Sequence, residues 1–161
     1  LIAIEKEAFS LELLEELIPL GRKCWKESTA NKGETCAFYG ERDFDIEPDV
    51  EQYQRLNEAG VLGIITIRND GEAVGYLGWV LYRSWHHRKI ICANVDSIYV
   101  EPEFRSYTAV MIELFEKEMV EIGVGIIGWP THVNGPIYEL LKARGYAGDD
   151  LIMEKRPCAS S

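Results

Sequence analysis

The sequence predicts an α/β (α+β) protein: a mixed, mostly antiparallel sheet flanked by helices on both faces. Three observations carry this expectation. Two apolar runs, residues 61–68 and 73–82, are joined by Asn69-Asp70-Gly71, a strong hairpin signal. A third apolar run, residues 89–100, follows the short polar connection "RSWHHR". The hydrophobic period then changes to a helical one, and a further apolar run at 124–129 completes a β-α-β unit.

The elements follow in order. Residues 1–5 alternate as a short strand does. Ser10 offers an N-cap to a helix over 11–25, where Leu14, Leu17, Ile18, Cys24 and Trp25 fall roughly on one face. Pro19 and Gly21 are expected to kink or loosen that helix. Residues 28–48 hold no sustained period, and so long a connection is usually functional or mobile. Pro48 and Asp49 introduce a short helix stopped by Gly60. After the three strands, a helix ending at Gly123 turns Val110, Ile112 (or Met111), Leu114, Phe115 and Met119 inward. Residues 124–129 read as a short buried strand, Pro136 opens another helix, and residues 151–156 form a last strand. The expected order is β-α-α-β-β-β-α-β-α-β, and a length of 161 residues fits one domain over 1–161.

Composition narrows the function classes. A formal charge of −10 argues against nucleic-acid binding, which draws on Lys and Arg to displace counterions; "RSWHHRK" is a local basic exception. An acidic body suits a cationic substrate such as an amine. No apolar run is long enough to span a membrane, and the start lacks the pattern of a signal peptide, so the expectation is a soluble, cytoplasmic protein. The first residue is not Met, so the numbering can begin inside a longer chain. Cys24, Cys36, Cys92 and Cys158 show neither pairing nor metal-ligand spacing; Cys24 and Cys92 read as core. Adjacent His86 and His87 would point to opposite sides of an extended segment, so no metal site is expected.

The fourth strand ends in Val100, Pro102 and Arg105, spaced V-x-P-x-x-R, immediately before a helix. Asn134 follows the fifth strand, and Gly145-Tyr146 closes the next helix. With the order of elements, these residues make the chain resemble the GCN5-related N-acetyltransferase (GNAT) superfamily. Its signature is V-x-P-x-x-R/Q-x-x-G-x-G/A. Thr108 and Val110 stand at the two glycine positions. The resemblance covers residues 60–156 well and the first 60 by element order only. It looks most like a branch of small members found in phages and bacteria.

The resemblance implies transfer of an acetyl group from acetyl-CoA directly to a small-molecule amine or a lysine. Backbone amides at the helix start would face the CoA pyrophosphate, where the helix dipole favours negative charge. Arg105, Ser106, Tyr107, Thr108 and Ala109 would form that cradle. The hydroxyls of Ser106 and Thr108 can donate, while Tyr107 and Val110 are bulkier than the family pattern. Ile98, Tyr99 and Val100 would meet the pantetheine arm where Pro130 stops sheet pairing, with Asn134 beyond it. Residues 127–129 would line the other wall. Asp96, two residues after Asn94, would bind or deprotonate the amine. The family's general-acid tyrosine falls at Leu141; Tyr138, one turn earlier, is a candidate substitute, and His132 a candidate base. Phe38, Tyr39 and Phe44, among Glu41, Asp43 and Asp45, would suit a cationic acceptor.

Each reading has a plainer counterpart. The segment at 102–110 can be a capped turn before an amphipathic helix, Asp96 a charge on a solvated strand face, and Tyr138 a packing aromatic. Loss of the glycines and of the tyrosine also fits a catalytically inactive binding or structural protein, such as a phage virion component. A DNA-modifying transferase is a more distant alternative, opposed by the charge. The apolar residues at 151–153 suggest a homodimer formed through the last strand.

Overall fold

Ser10 accepts the amide of Leu13 on its hydroxyl at 3.1 Å and so starts a helix where the sequence places an N-cap. The structure, a computed structural model, describes residues 1–30, 46–131 and 136–148. The strand β1 (Ile2–Glu7) precedes that helix, α1 (Leu11–Ala30), which continues without a break through Pro19 and Gly21. It ends five residues beyond the expected boundary, so the first part of the expected loop at 28–48 is helical. Its buried stripe is Leu13, Leu17 and Leu20, with Leu14 and Ile18 half-buried beside it. The stripe is thus rotated from the expected one.

Asp49 caps α2 (Val50–Glu58), accepting the Gln52 amide at 3.0 Å. Strands β2 (Leu62–Asn69) and β3 (Glu72–Arg83) are joined by Asp70 and Gly71, at φ 51° and 93°. Two successive residues with positive φ form the turn whose twist matches paired strands. Then come β4 (Ile91–Val100), a 3₁₀ helix at Pro102–Tyr107, α3 (Thr108–Ile122), β5 (Val124–Gly128) and α4 (Pro136–Ala143). This is the expected order; the last strand lies outside the described residues.

The described strands form one sheet in the order β1-β2-β3-β4-β5. The first three pairings are antiparallel and β4–β5 is parallel, giving the mixed sheet of the sequence reading. Gly63, Ile65 and Ile67 of β2 oppose Trp79, Leu77 and Gly75 of β3, and this face carries α3. Phe115 of α3 meets Trp79 edge to face at 5.2 Å and Trp129 at 5.4 Å. Met111, Ile112 and Met119 are buried with it, whereas Val110 is half exposed. Burying each such side chain contributes about 1.5–3 kcal/mol, so this layer dominates the core. Lys6, opposite Ile65 in the ladder, is ion-paired with Glu118 of α3.

The other face carries α1. Arg68 of β2 bridges Glu7 of β1 at 2.7 Å and Glu16 of α1 at 2.8 Å, while the Thr66 hydroxyl donates to Glu7. Glu16 also accepts the Ala73 amide at 3.0 Å. One guanidinium therefore ties together two strands and a helix. Ile126 in β5 is half exposed, so the fifth strand is less buried than its apolar sequence predicts.

Two compact units are distinguished. Leu1–Gly21 with Glu47–Pro130 holds the whole described sheet with α2 and α3; Arg22–Ile46 with Thr131–Ser161 holds the end of α1 and α4. No helix among the described residues is long and apolar enough to cross a membrane.

Candidate active site

β4 does not run evenly beside β3. Gly78 opposes Ser97 and Trp79 opposes Val95, leaving Asp96 as an extra residue between two rungs. A bulge of this kind bends a strand and re-aims a side chain. Asp96 is exposed, like Asn94, with buried Val95 between them. Its carboxylate accepts a 3.1 Å hydrogen bond from the Tyr53 hydroxyl of α2. The Tyr53 ring lies parallel to Phe9, with centroids 6.1 Å apart and planes 9° apart. Burial and then the Asp96 charge and hydrogen bond push the Tyr53 phenol up to about 12. It therefore keeps its proton at neutral pH and remains a donor to Asp96.

Neither Tyr53 nor Phe9 stands out in the sequence. Tyr53 is one aromatic in a short amphipathic helix, 43 residues from its partner. Beside the bulge, Tyr76 and Ser97 share a 2.7 Å hydrogen bond across β3 and β4.

The parallel ladder between β4 and β5 has its last rung at Asn94 and Gly128, while β4 runs on to Val100. Pairing thus ends two residues before Pro130. A Cβ at Gly128 would stand 3.0 Å from Asn94 Oδ1, so this last rung is closely packed. Asp96 lies just past it. Ile98, Tyr99 and Val100 occupy the end of β4, with Tyr99 and Val100 buried.

At the start of α3 the chain is helical before the helix begins. Phe104 donates to the Glu101 carbonyl at 2.9 Å, and the Thr108 amide donates to the Arg105 carbonyl. No residue from 101 to 109 has a positive φ. The backbone here makes no conformational demand for glycine. Thr108, at the first glycine position, is buried in the core, and Val110, at the second, is exposed. Arg105 and Ser106 are exposed, Tyr107 and Ala109 half-buried, and Arg105 Nε donates to the Val100 carbonyl at 3.3 Å. The segment is a 3₁₀ turn continuous with α3, and neither Glu101 nor Tyr107 caps it with a side chain, so the expected Ser or Thr cap is not formed. One amide expected to face a phosphate is bonded within that turn.

Tyr138 belongs to the second unit, where the Lys142 ammonium lies 5.5 Å from its ring centroid and Gly148 packs against the ring. Leu141 is buried. His132, Asn134 and the residues Phe38, Tyr39, Glu41, Asp43, Phe44 and Asp45 lie outside the described residues. His86 and His87 are exposed in the β3–β4 connection, and no three metal-ligating side chains converge among the described residues. Cys92 is buried as expected, whereas Cys24 is only half-buried.

No family model matches the chain, and no curated protein matches it in sequence. Solved structures do. An aminoglycoside acetyltransferase from an uncultured soil metagenomic sample, in complex with sisomicin, is 14% identical with a TM-score of 0.71, covering 99% of this chain and 97% of its own. The ribosomal-protein-alanine N-acetyltransferase from Brucella melitensis biovar Abortus 2308 is 16% identical with a TM-score of 0.65, covering 97% and 99%. AAC(6')-Iy, in complex with a CoA-S-monomethyl-acetylneamine bisubstrate analog, is 15% identical with a TM-score of 0.64, covering 98% and 99%. At such identities it is the backbone architecture that is shared, along nearly the full length of each chain. This chain has the fold of the GNAT acetyltransferases.

Proposed function

We propose that this protein is an N-acetyltransferase that moves an acetyl group from acetyl-CoA to the amine of a small molecule or a lysine side chain. The observation that carries the reading is Asp96: an exposed carboxylate on a bulge, just past the last rung between β4 and β5. The sheet edge opening there suits an extended pantetheine arm along the end of β4, beside Ile98, Tyr99 and Val100. Arg105, with Ser106, Tyr107, Thr108 and Ala109 at the start of α3, would hold the pyrophosphate by charge, hydroxyl groups and helix dipole. Because Thr108 is buried and its amide is bonded, Arg105 and Ser106 carry most of that contact in this reading.

Acetyl-CoA supplies the acyl group as a thioester. Asp96 would orient the incoming ammonium and take up its proton, so that the free amine forms the new C–N bond as the C–S bond breaks. The departing thiolate needs no strong acid, since water can protonate it. Tyr138 and His132 stay secondary candidates for proton transfer, and Asn134 for contact with the pantetheine arm. A cytoplasmic location fits the use of acetyl-CoA.

A thiol-release assay tests the reading. With acetyl-CoA and a panel of spermidine, tobramycin and a lysine-containing peptide, CoA should appear at a rate that depends on an amine and falls about 100-fold or more in Asp96→Asn. Amine-independent release, or none at all, would reject it.

A further inference from the structure

We propose that Tyr53 is a positioning residue for the acceptor amine: its hydroxyl fixes the Asp96 carboxylate, and its ring with Phe9 walls the place where the ammonium docks. The inference rests on the acyl-transfer reading for the chemistry after docking, but not for the docking itself.

The geometry has three independent parts. The bulge puts Asp96 outside the regular ladder, between the Gly78–Ser97 and Trp79–Val95 rungs, and its side chain is exposed. The 3.1 Å hydrogen bond from Tyr53 is the contact that restrains it from α2. The parallel Phe9 and Tyr53 rings connect that helix to the segment between β1 and α1. A carboxylate holding one phenol hydrogen bond keeps further lone pairs for an ammonium. Aromatic faces beside it favour a cation over a neutral amine.

Tyr53 does not act as the base. Its phenol keeps the proton, so it orders the carboxylate without competing for the substrate's proton. Its removal should therefore weaken amine binding and leave cofactor binding unchanged.

Calorimetry of the full chain with spermidine, tobramycin and a lysine-containing peptide reads this directly. At least one amine should bind, about tenfold more weakly to Tyr53→Phe and not measurably to Asp96→Asn, while acetyl-CoA affinity stays the same in Tyr53→Phe. Equal amine affinity in Tyr53→Phe, or no amine binding by the unmodified protein, overturns the inference. Amine binding with this pattern but without acetyl-CoA binding would leave the inference standing and remove the transferase reading. If Tyr53→Phe fails to fold, ring-labelled tyrosine resonances of the unmodified protein replace it. One tyrosine should titrate above the ordinary 10, shift on adding the amine, and fall only part of the way back in Asp96→Asn, because burial is the larger cause and remains. Absence of such a signal would equally overturn the inference.

Discussion

The indole of Trp79 lies directly across Gly63 on the neighbouring strand, where a Cβ would stand 2.1 Å from Cζ2. Trp79 is 1% exposed and in edge-to-face contact with Phe115, so the ring has nowhere to retreat without disturbing α3. Gly63→Ala should therefore destabilise the protein by roughly 2–3 kcal/mol, the upper part of the range of about 1–3 kcal/mol for overpacking a tight core. Chemical denaturation would measure it, and a change within about 0.5 kcal/mol would mean that the indole is not held there.

Arg68 gives a second test. Arg68→Ala removes the shared partner of Glu7 and Glu16 and should cost about 2 kcal/mol, discounted for the partial exposure of all three groups. Equilibrium unfolding at neutral pH would show it.

The same network sets a pH dependence. Burial raises the Glu7 carboxyl, but hydrogen bonds from Arg68 and Thr66 and the Arg68 charge together hold it below the ordinary 4.5. Glu16 is lowered chiefly by its hydrogen bond from Arg68. Groups depressed on folding stabilise fully above the unfolded value and lose that contribution as pH falls through the folded value. Stability should thus decline below about pH 4.5, and less steeply in Arg68→Ala. Parallel declines in the two proteins would contradict this.

At the hairpin, Gly71→Ala places a Cβ at φ 93° and should destabilise by about 1 kcal/mol. Thermal melting is sufficient to detect it. An unchanged midpoint would mean that the turn rearranges at no cost.

The hairpin, the caps at Ser10 and Asp49 and the element order are legible because each is written in a few adjacent residues. The inward face of α1 is less so: Leu13, Leu14, Leu17, Ile18 and Leu20 offer overlapping stripes, and the sheet decides between them. Val110 is exposed because the buried stripe of α3 runs through Thr108, Met111, Ile112, Phe115 and Met119, a regular helical spacing that leaves Val110 on the outer side. The glycine-poor sequence leaves open whether a phosphate cradle survives, and the backbone from 101 to 109 needs no positive φ. Asp96 is legible as a candidate; its bulge and its bond to Tyr53 are not, since they depend on strand register and on a residue far away in the chain.

Cofactor binding at the start of α3 is tested most directly by calorimetric titration with acetyl-CoA, with desulfo-CoA and ATP as controls and Arg105→Ala as the variant. Acetyl-CoA and desulfo-CoA should bind with micromolar affinity and ATP much more weakly, with a loss of about tenfold or more in affinity in Arg105→Ala. No binding of acetyl-CoA at millimolar concentration would contradict it, and the fold would then serve a purpose other than acetyl transfer.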